Sequence, residues 1–240
     1  MSFGLECKKV KRTGFIPAFL CGGFLAAAVP ILNMAVRSEQ YLGLDASAIQ
    51  TLINANWQMI AMLNILLVVA GACLMYHTEY ADNAIQKMCT LPIKESKLFF
   101  GKFALIALMC SVILVIEAAG VAFCAYHWFE RSEDLWIELL KNFGYALLLM
   151  LPAAFSALLI ASACKNMWVS LGIGVVCVFT ATMLPTKNFV LSLFPFALPF
   201  QMLADTAENI VHNFIIAAVV ELFLIAIAQV LFLKVRRSFE

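Results

Sequence analysis

The chain has 240 residues, of which 64% are hydrophobic and only 13% charged, with a formal net charge of +1. A soluble domain contains about 45–50% apolar and about 25% charged residues, and it has no means of burying so much apolar surface. The composition therefore excludes a cytosolic enzyme, a secreted disulfide scaffold and a disordered tail, and it places most of the chain in lipid.

Six apolar stretches run along the chain, and a helix that spans a bilayer needs about 20 mainly apolar residues. They predict transmembrane helices at residues 14–36, 57–76, 98–126, 143–164, 167–184 and 211–233. The first stretch is too long for a signal-peptide core and lacks a clear cleavage site, so we expect it to be retained. Residues 1–240 are predicted to form a single transmembrane domain of the all-α class.

Lysine and arginine are distributed unevenly among the connecting segments. With both termini placed in the cytoplasm, the inner segments contain twelve of these residues and the outer segments four. Membrane insertion favours cations on the inner side. An odd number of spans would put the basic C-terminal residues outside, so the pattern favours six spans with both termini cytoplasmic.

The inner segment at residues 77–97 has the pattern of a short helix. Apolar residues at the i, i+3, i+4, i+7 spacing predict one face of this helix, and they are Ala81, Ala84, Ile85 and Met88. Pro92 ends this helix because it disfavours helical backbone at Leu91. Lys102, just inside the third span, is expected to extend to the lipid head groups. The segment is either an interfacial helix lying flat on lipid or a docking element for a cytoplasmic partner.

The stretch at residues 188–204 is too apolar for a free outer loop, and Pro195 and Pro199 would break any long helix there. We expect two short helices that dip into the outer leaflet before the sixth span. The alternative is a failed seventh span.

Two acids, Glu117 and Glu221, fall inside predicted spans. An ionised acid in the bilayer costs at least about 2–3 kcal/mol, so each must face protein or water, or carry a proton. Each is either part of a transport pathway or subunit contact, or a neutral carboxyl that packs helices. Asn64 and Gln229 are weaker candidates of the same kind.

Catalytic and cofactor-binding motifs are missing from the sequence. It contains three histidines but no H-E-x-x-H, no G-x-S-x-G and no P-loop, and its eight cysteines lack C-x-x-C spacing. The sequence therefore predicts a non-catalytic chain with no metal, no cofactor of its own and no nucleic-acid partner.

Three features are shared with a known family. The N-terminus reads Glu6-Cys7-Lys8-Lys9-Val10-Lys11-Arg12-Thr13, and the inner loop reads Glu79 … Leu91-Pro92-Ile93-Lys94 … Gly101-Lys102. Six spans with both ends inside complete the pattern. In these features the chain resembles the permease subunit of type 2 ABC exporters, in particular the small permeases of lantibiotic self-protection transporters.

The resemblance implies that the first inner loop forms a coupling helix seated on an ATPase. Carried over residue by residue, this role falls on Glu79, Tyr80, Asp82, Ile85, Gln86, Leu91 and Pro92. The implied partners are a cytoplasmic ABC ATPase dimer, which binds ATP and Mg, and a second permease that is an identical or sister chain. The implied cargo is a lantibiotic or similar amphipathic peptide, expelled from the bacterial plasma membrane.

Two alternatives stay open at this point. The chain could be a type 2 ABC permease for another substrate, such as a bacitracin-like drug, an ion or a lipid-linked sugar. It could also be a stand-alone membrane immunity protein that captures a peptide without any ATPase.

Overall fold

A computed structural model describes residues 2–11, 13–42, 46–80, 95–129, 134–184, 189–203 and 208–239. The helices in these ranges are α1 (Ser2–Val10), α2 (Phe15–Tyr41), α3 (Ala48–Tyr80), α4 (Glu95–Trp128), α5 (Leu135–Ala163), α6 (Met167–Met183), α7 (Phe189–Ser192) and α8 (Glu208–Phe239). A 3-10 turn at Leu198–Phe200 lies between the last two helices. No strand occurs in the described ranges, and the predicted all-α class is confirmed.

Six of these helices, α2 to α6 and α8, coincide with the six predicted spans. Five are long and apolar enough to cross a membrane, whereas α6 has only 17 residues. α3 begins at Ala48 and α5 at Leu135, each well before the apolar stretch begins. In the first turns of α3, Ile49 and Leu52 are buried while Asn54 is exposed. Hydropathy therefore finds the membrane part of each helix but not its amphipathic extension.

α3 lies at the centre of the bundle and packs against α2, α4, α5 and α6. We call the end that contains α1, Tyr80 and Glu95 the lower end, and the end that contains Tyr41, Ala48 and Trp128 the upper end.

Small residues bring α2 and α4 into close contact. A Cβ atom on Gly120 would lie 2.8 Å from the carbonyl oxygen of Ala27, and one on Gly23 would lie 2.9 Å from Cγ2 of Ile113. A side chain at either position would force the two helices apart. α2 and α4 are therefore packed nearly backbone to backbone, as small residues permit in membranes.

The segment before the last span forms the two short helical elements expected there, α7 and the 3-10 turn. Phe196, Leu198 and Phe200 are buried, and the indole Nε1 of Trp57 donates a hydrogen bond to the Pro199 carbonyl oxygen at 3.0 Å. The segment therefore folds onto the upper end of the bundle and does not form a seventh span.

The last helix, α8, is attached mainly through its upper half. Phe214 and Ala218 are buried in a small cluster with Tyr145, Leu149 and Leu198. Further along the helix, large apolar side chains are exposed: Phe223, Leu224, Ile227 and Leu231. This face of α8 is open to lipid or to another chain.

Candidate functional site

The N-terminal residues form a short helix, α1, that is not among the predicted elements. It is joined to α2 through Gly14, whose φ of 74° is a left-handed conformation that glycine adopts without strain. The Thr13 hydroxyl donates a hydrogen bond to the Val10 carbonyl oxygen at 2.9 Å. This turn places α1 against α4, with the side chains of Glu6 and Val10 buried.

Four charged side chains from α1, α3 and α4 meet at the lower end, and we call Glu6, Lys9, Glu79 and Lys102 the basal charge cluster. Lys102 Nζ donates to Glu6 Oε2 at 2.7 Å and to Glu79 Oε1 at 2.5 Å. Lys9 Nζ donates to Glu6 Oε1 at 3.1 Å and to Glu79 Oε1 at 3.0 Å. Each carboxylate therefore contacts both ammonium groups, and the four formal charges cancel.

Three members of the basal charge cluster are almost completely buried, with exposed fractions of 1% for Glu6, 5% for Glu79 and 1% for Lys102. Lys102 Nζ also lies 5.4 Å from the centroid of the Tyr76 ring, within the range of a cation–π interaction. The expectation that Lys102 extends to the lipid head groups is therefore wrong. Two carboxylates inside the bundle give the ammonium group a closer partner.

Lys9 is the member of the cluster nearest to solvent, with 34% of its side chain exposed. Burial lowers the pKa of Lys9, but the charges of Glu79 and Glu6 and their hydrogen bonds raise it further, so the net shift is upward. Lys9 therefore remains a cation at neutral pH and supplies the second positive charge.

Tyr80, the last residue of α3, links the cluster to a third spanning helix. Its hydroxyl donates a hydrogen bond to the Ser162 carbonyl oxygen near the end of α5 at 2.5 Å. Its ring centroid lies 6.3 Å from that of Tyr76, one turn earlier. The lower end of α3 is therefore held by ion pairs on one side and by a hydrogen bond on the other.

Two of the seven residues that the resemblance assigned to ATPase coupling fall within the described ranges. Glu79 is buried in the basal charge cluster, whereas Tyr80 is partly exposed. The other five lie outside the described residues: Asp82, Ile85, Gln86, Leu91 and Pro92.

A second buried polar contact lies inside the bundle, away from the cluster. Asn64 Nδ2 donates to Glu117 Oε2 at 3.0 Å, which joins α3 to α4, and both side chains are fully buried, with an exposed fraction of 0%. The remaining oxygens, Glu117 Oε1 and Asn64 Oδ1, are buried without a hydrogen-bond partner among the described residues. Glu117 thus pairs with an amide and not with a cation.

Glu221 lies on α8 and is half-buried, and its Oε2 has no partner among the described residues. No hydrogen bond in the described ranges joins it to Glu117. Gln229, a weaker candidate, is buried and donates to the Ser162 hydroxyl at 3.5 Å, which links α8 to α5. The two acids therefore have separate surroundings.

An apolar groove of about 580 Å³ lies between α4 and α5. In the described part of the chain it is lined by Ser111, Leu114, Val115, Ala118, Ala119, Trp136, Leu139, Leu140, Phe143, Gly144 and Leu147. The Ser111 hydroxyl already donates to the Ala107 carbonyl oxygen at 2.9 Å. The groove therefore suits the apolar part of a ligand and offers it few hydrogen bonds.

Sequence reasoning missed three members of the basal charge cluster as functional candidates. Glu6 and Lys9 are three residues apart, the spacing of neighbours on one helix face, and this is the signal that could have revealed α1. Lys102 stood out as a cation inside an apolar span and as part of the Gly101-Lys102 pair that the resemblance includes. Its partners lie far away in sequence, so no local pattern indicates them.

Comparison with known families gives a match to the family described as "ABC-2 family transporter protein" over residues 3–181. The match runs from α1 almost to the end of α6 and includes all four residues of the basal charge cluster. Comparisons with curated proteins and with solved structures found no match. The apolar helices make the chain a multi-pass membrane protein, and this match shows that it belongs to the ABC-2 transporter family.

Proposed function

We propose that the chain is the permease subunit of an ATP-binding cassette exporter in the bacterial plasma membrane, with both termini in the cytoplasm. Family membership supports the permease role, and the bias of twelve inner to four outer Lys and Arg residues supports the orientation. In this orientation the lower end faces the cytoplasm. ATP and Mg are bound by a partner ATPase and not by this chain.

In this proposal, residues 79–92 dock on a cytoplasmic ABC ATPase dimer. The observation that carries the proposal is the 2.5 Å contact between Glu79, which begins the segment, and Lys102, which follows it. This contact joins α3 and α4 on either side of the segment. A displacement of the segment is therefore passed to two spanning helices together.

A second permease, either an identical chain or a sister chain, completes the transport pathway in this proposal. The exposed apolar face of α8 supports such a contact, because it is much less covered than the faces of α3 or α5. Glu221 on α8 is half-buried, so the exposed part of its side chain can contact a pathway or a second chain. Glu117, in contrast, is enclosed within its own chain.

The proposed cargo is a lantibiotic or similar amphipathic peptide. The apolar groove between α4 and α5 supports this choice, because it can accept the apolar face of such a peptide. Other type 2 cargoes have different needs: an ion requires oxygen ligands, and a sugar requires hydrogen-bond partners.

The ATPase partnership is tested by co-expression of the chain with its cognate ATPase, followed by purification of the complex. Asp82→Lys and Gln86→Glu are expected to lose the ATPase, because they alter the polar face of the segment. Glu133→Lys, on the predicted outer side, is the matched control and is expected to retain it. Protection that persists after the ATPase's ATP site is inactivated would instead identify a stand-alone immunity protein.

The cargo is tested by filling the groove. A Cβ atom at Gly144 meets nothing within 4 Å, so Gly144→Leu is expected to fold normally and to weaken resistance to an amphipathic cationic peptide. Gly172→Leu is the matched control, since a Cβ atom at Gly172 also meets nothing within 4 Å and the residue lies on α6. Equal resistance in both variants excludes the groove as the peptide site.

A further inference from the structure

The basal charge cluster consists of two ion pairs that come from different parts of the chain. One pair, Glu6 and Lys9, belongs entirely to α1, with 3.1 Å between Nζ and Oε1. The other pair, Glu79 and Lys102, belongs to the spanning helices α3 and α4. Glu79 begins residues 79–92, which we call the coupling segment, and Lys102 follows that segment. The contacts of 2.7 Å and 3.0 Å between the pairs join α1 to both spans.

Each of the two pairs is electrically neutral by itself. α1 adds one anion and one cation to the site, and the spans also contribute one of each. If α1 leaves the site as a unit, both pairs keep their charge balance. If a single charge is removed, one buried ion loses its partner, which is far more unfavourable than the loss of a balanced pair.

The attachment of α1 suits a small movable element. The helix has nine residues, too few to be stable alone in water, so its order depends on its contacts with the spans. Glu6 and Val10 are buried, whereas Lys8 and Lys11 are exposed. Gly14, with its φ of 74°, gives the connection to α2 a turn that glycine adopts without strain.

We propose that α1 is a charge-neutral clamp, in which Glu6 and Lys9 are positioning residues that lock the Glu79–Lys102 salt bridge. The clamp fixes the two helices on either side of the coupling segment, and so determines how closely α3 and α4 follow a movement of the ATPase. This inference rests on the proposed function only for the statement that an ATPase moves the coupling segment. The clamp itself follows from the contacts among the four residues of the cluster.

Hydrogen–deuterium exchange of the purified permease–ATPase complex tests the clamp, with readout at residues 2–10 and 76–80. Glu6→Gln leaves the cluster with one excess buried cation, and we expect exchange at residues 76–80 to rise about tenfold. Glu6→Gln combined with Lys9→Gln keeps the Glu79–Lys102 pair balanced. We therefore expect exchange at residues 76–80 to be closer to wild type in the double variant than in Glu6→Gln alone or Lys9→Gln alone. Exchange of α1 itself should be faster in the double variant than in wild type.

Lys8→Gln is the matched control, because it removes a positive charge from the exposed face of α1 without touching the cluster. It is expected to behave like wild type at both segments. The clamp is overturned if the double variant exchanges at 76–80 as fast as, or faster than, the single variants, or if Lys8→Gln has the same effect as Glu6→Gln.

A positioning role also predicts a readout that a purely structural role would not change. In wild type, addition of ATP to the complex should alter exchange at residues 76–80, and in Glu6→Gln this response should be lost while the ATPase still co-purifies. A response that survives in Glu6→Gln overturns the positioning role. If no ATPase binds even the wild type, the proposed function fails, but the same variants of the permease alone still decide whether the clamp exists.

Discussion

The chain buries acidic side chains in two places and compensates their burial in two different ways. At the lower end, the basal charge cluster has two acids and two lysines within hydrogen-bond distance of one another. Inside the bundle, Glu117 has one hydrogen bond, from the Asn64 amide, and the first four predicted spans contain no lysine, arginine or histidine apart from Lys102. The cluster therefore depends on matched charges, whereas the inner pair depends on dipoles and shape.

This difference indicates which amino-acid substitutions the structure tolerates. Removal of one partner from a buried ion pair leaves an uncompensated charge, whereas replacement of both partners of a neutral hydrogen bond by apolar groups is often nearly neutral. Single substitutions in the cluster should therefore destabilise the protein strongly, and paired substitutions should destabilise it less. The Asn64–Glu117 pair should accept isosteric or fully apolar replacements. Each prediction below tests one side of this contrast.

The largest effect is expected for Lys102→Met, which leaves two buried carboxylates with Lys9 as their single cation. The variant should lose about 3–5 kcal/mol of stability, the usual consequence of breaking a buried ion pair. Thermal unfolding in detergent measures it. Lys97→Met, an exposed lysine on the same helix, should change little, and equal losses in the two variants would contradict the role of the cluster.

A moderate effect is expected for Asn64→Leu, because it leaves both oxygens of the buried Glu117 carboxyl without a donor. We expect a loss of about 1–3 kcal/mol by the same unfolding assay. Glu117→Gln should lose less, since its amide keeps the shape of the carboxyl. The double variant Asn64→Leu with Glu117→Leu should recover part of the loss. A double variant that is as unstable as the sum of its parts would show that the pair is not a simple hydrogen bond.

A smaller effect is expected for Tyr80→Phe, which removes the hydrogen bond to the Ser162 carbonyl oxygen but no charge. Its stability should fall by about 0.5–1.5 kcal/mol. This change tests whether the ion pairs alone hold the lower end of α3. A loss as large as that of Lys102→Met would show that the hydrogen bond to α5 matters as much as the charges.

The smallest effect is a pH dependence from Lys9. The pKa of Lys9 in the folded protein is raised above its ordinary value of 10.5. Its stabilising contribution is therefore complete below that value and is lost as the pH rises through the higher folded-state pKa. The difference in stability between wild type and Lys9→Met should therefore stay constant at neutral pH and shrink in strongly alkaline solution. A difference that shrinks below pH 9 (roughly one and a half units under the unfolded value) contradicts this assignment.

The spans and the short helices near Pro195 and Pro199 follow from the sequence, because hydropathy and proline act over a few neighbouring residues. α1 was missed because a nine-residue helix has too short an apolar face to stand out. Glu117 and Asn64 were each recognised as unusual, but their contact depends on the packing register of α3 against α4. The partners of Lys102 come from positions 6 and 79, and only the folded chain brings them together.

The 17-residue length of α6 has a consequence for the surrounding membrane. A helix of that length measures about 26 Å, several ångströms less than a hydrocarbon layer of about 30 Å. Trp168 and Met183, near its two ends, are both exposed. A short span is matched by local thinning of the bilayer, by flanking side chains or by packing against another helix, at a modest free-energy penalty per ångström of mismatch. We therefore expect the bilayer to be thinner beside α6 than beside the longer spans, and lipids with shorter acyl chains to match this face best.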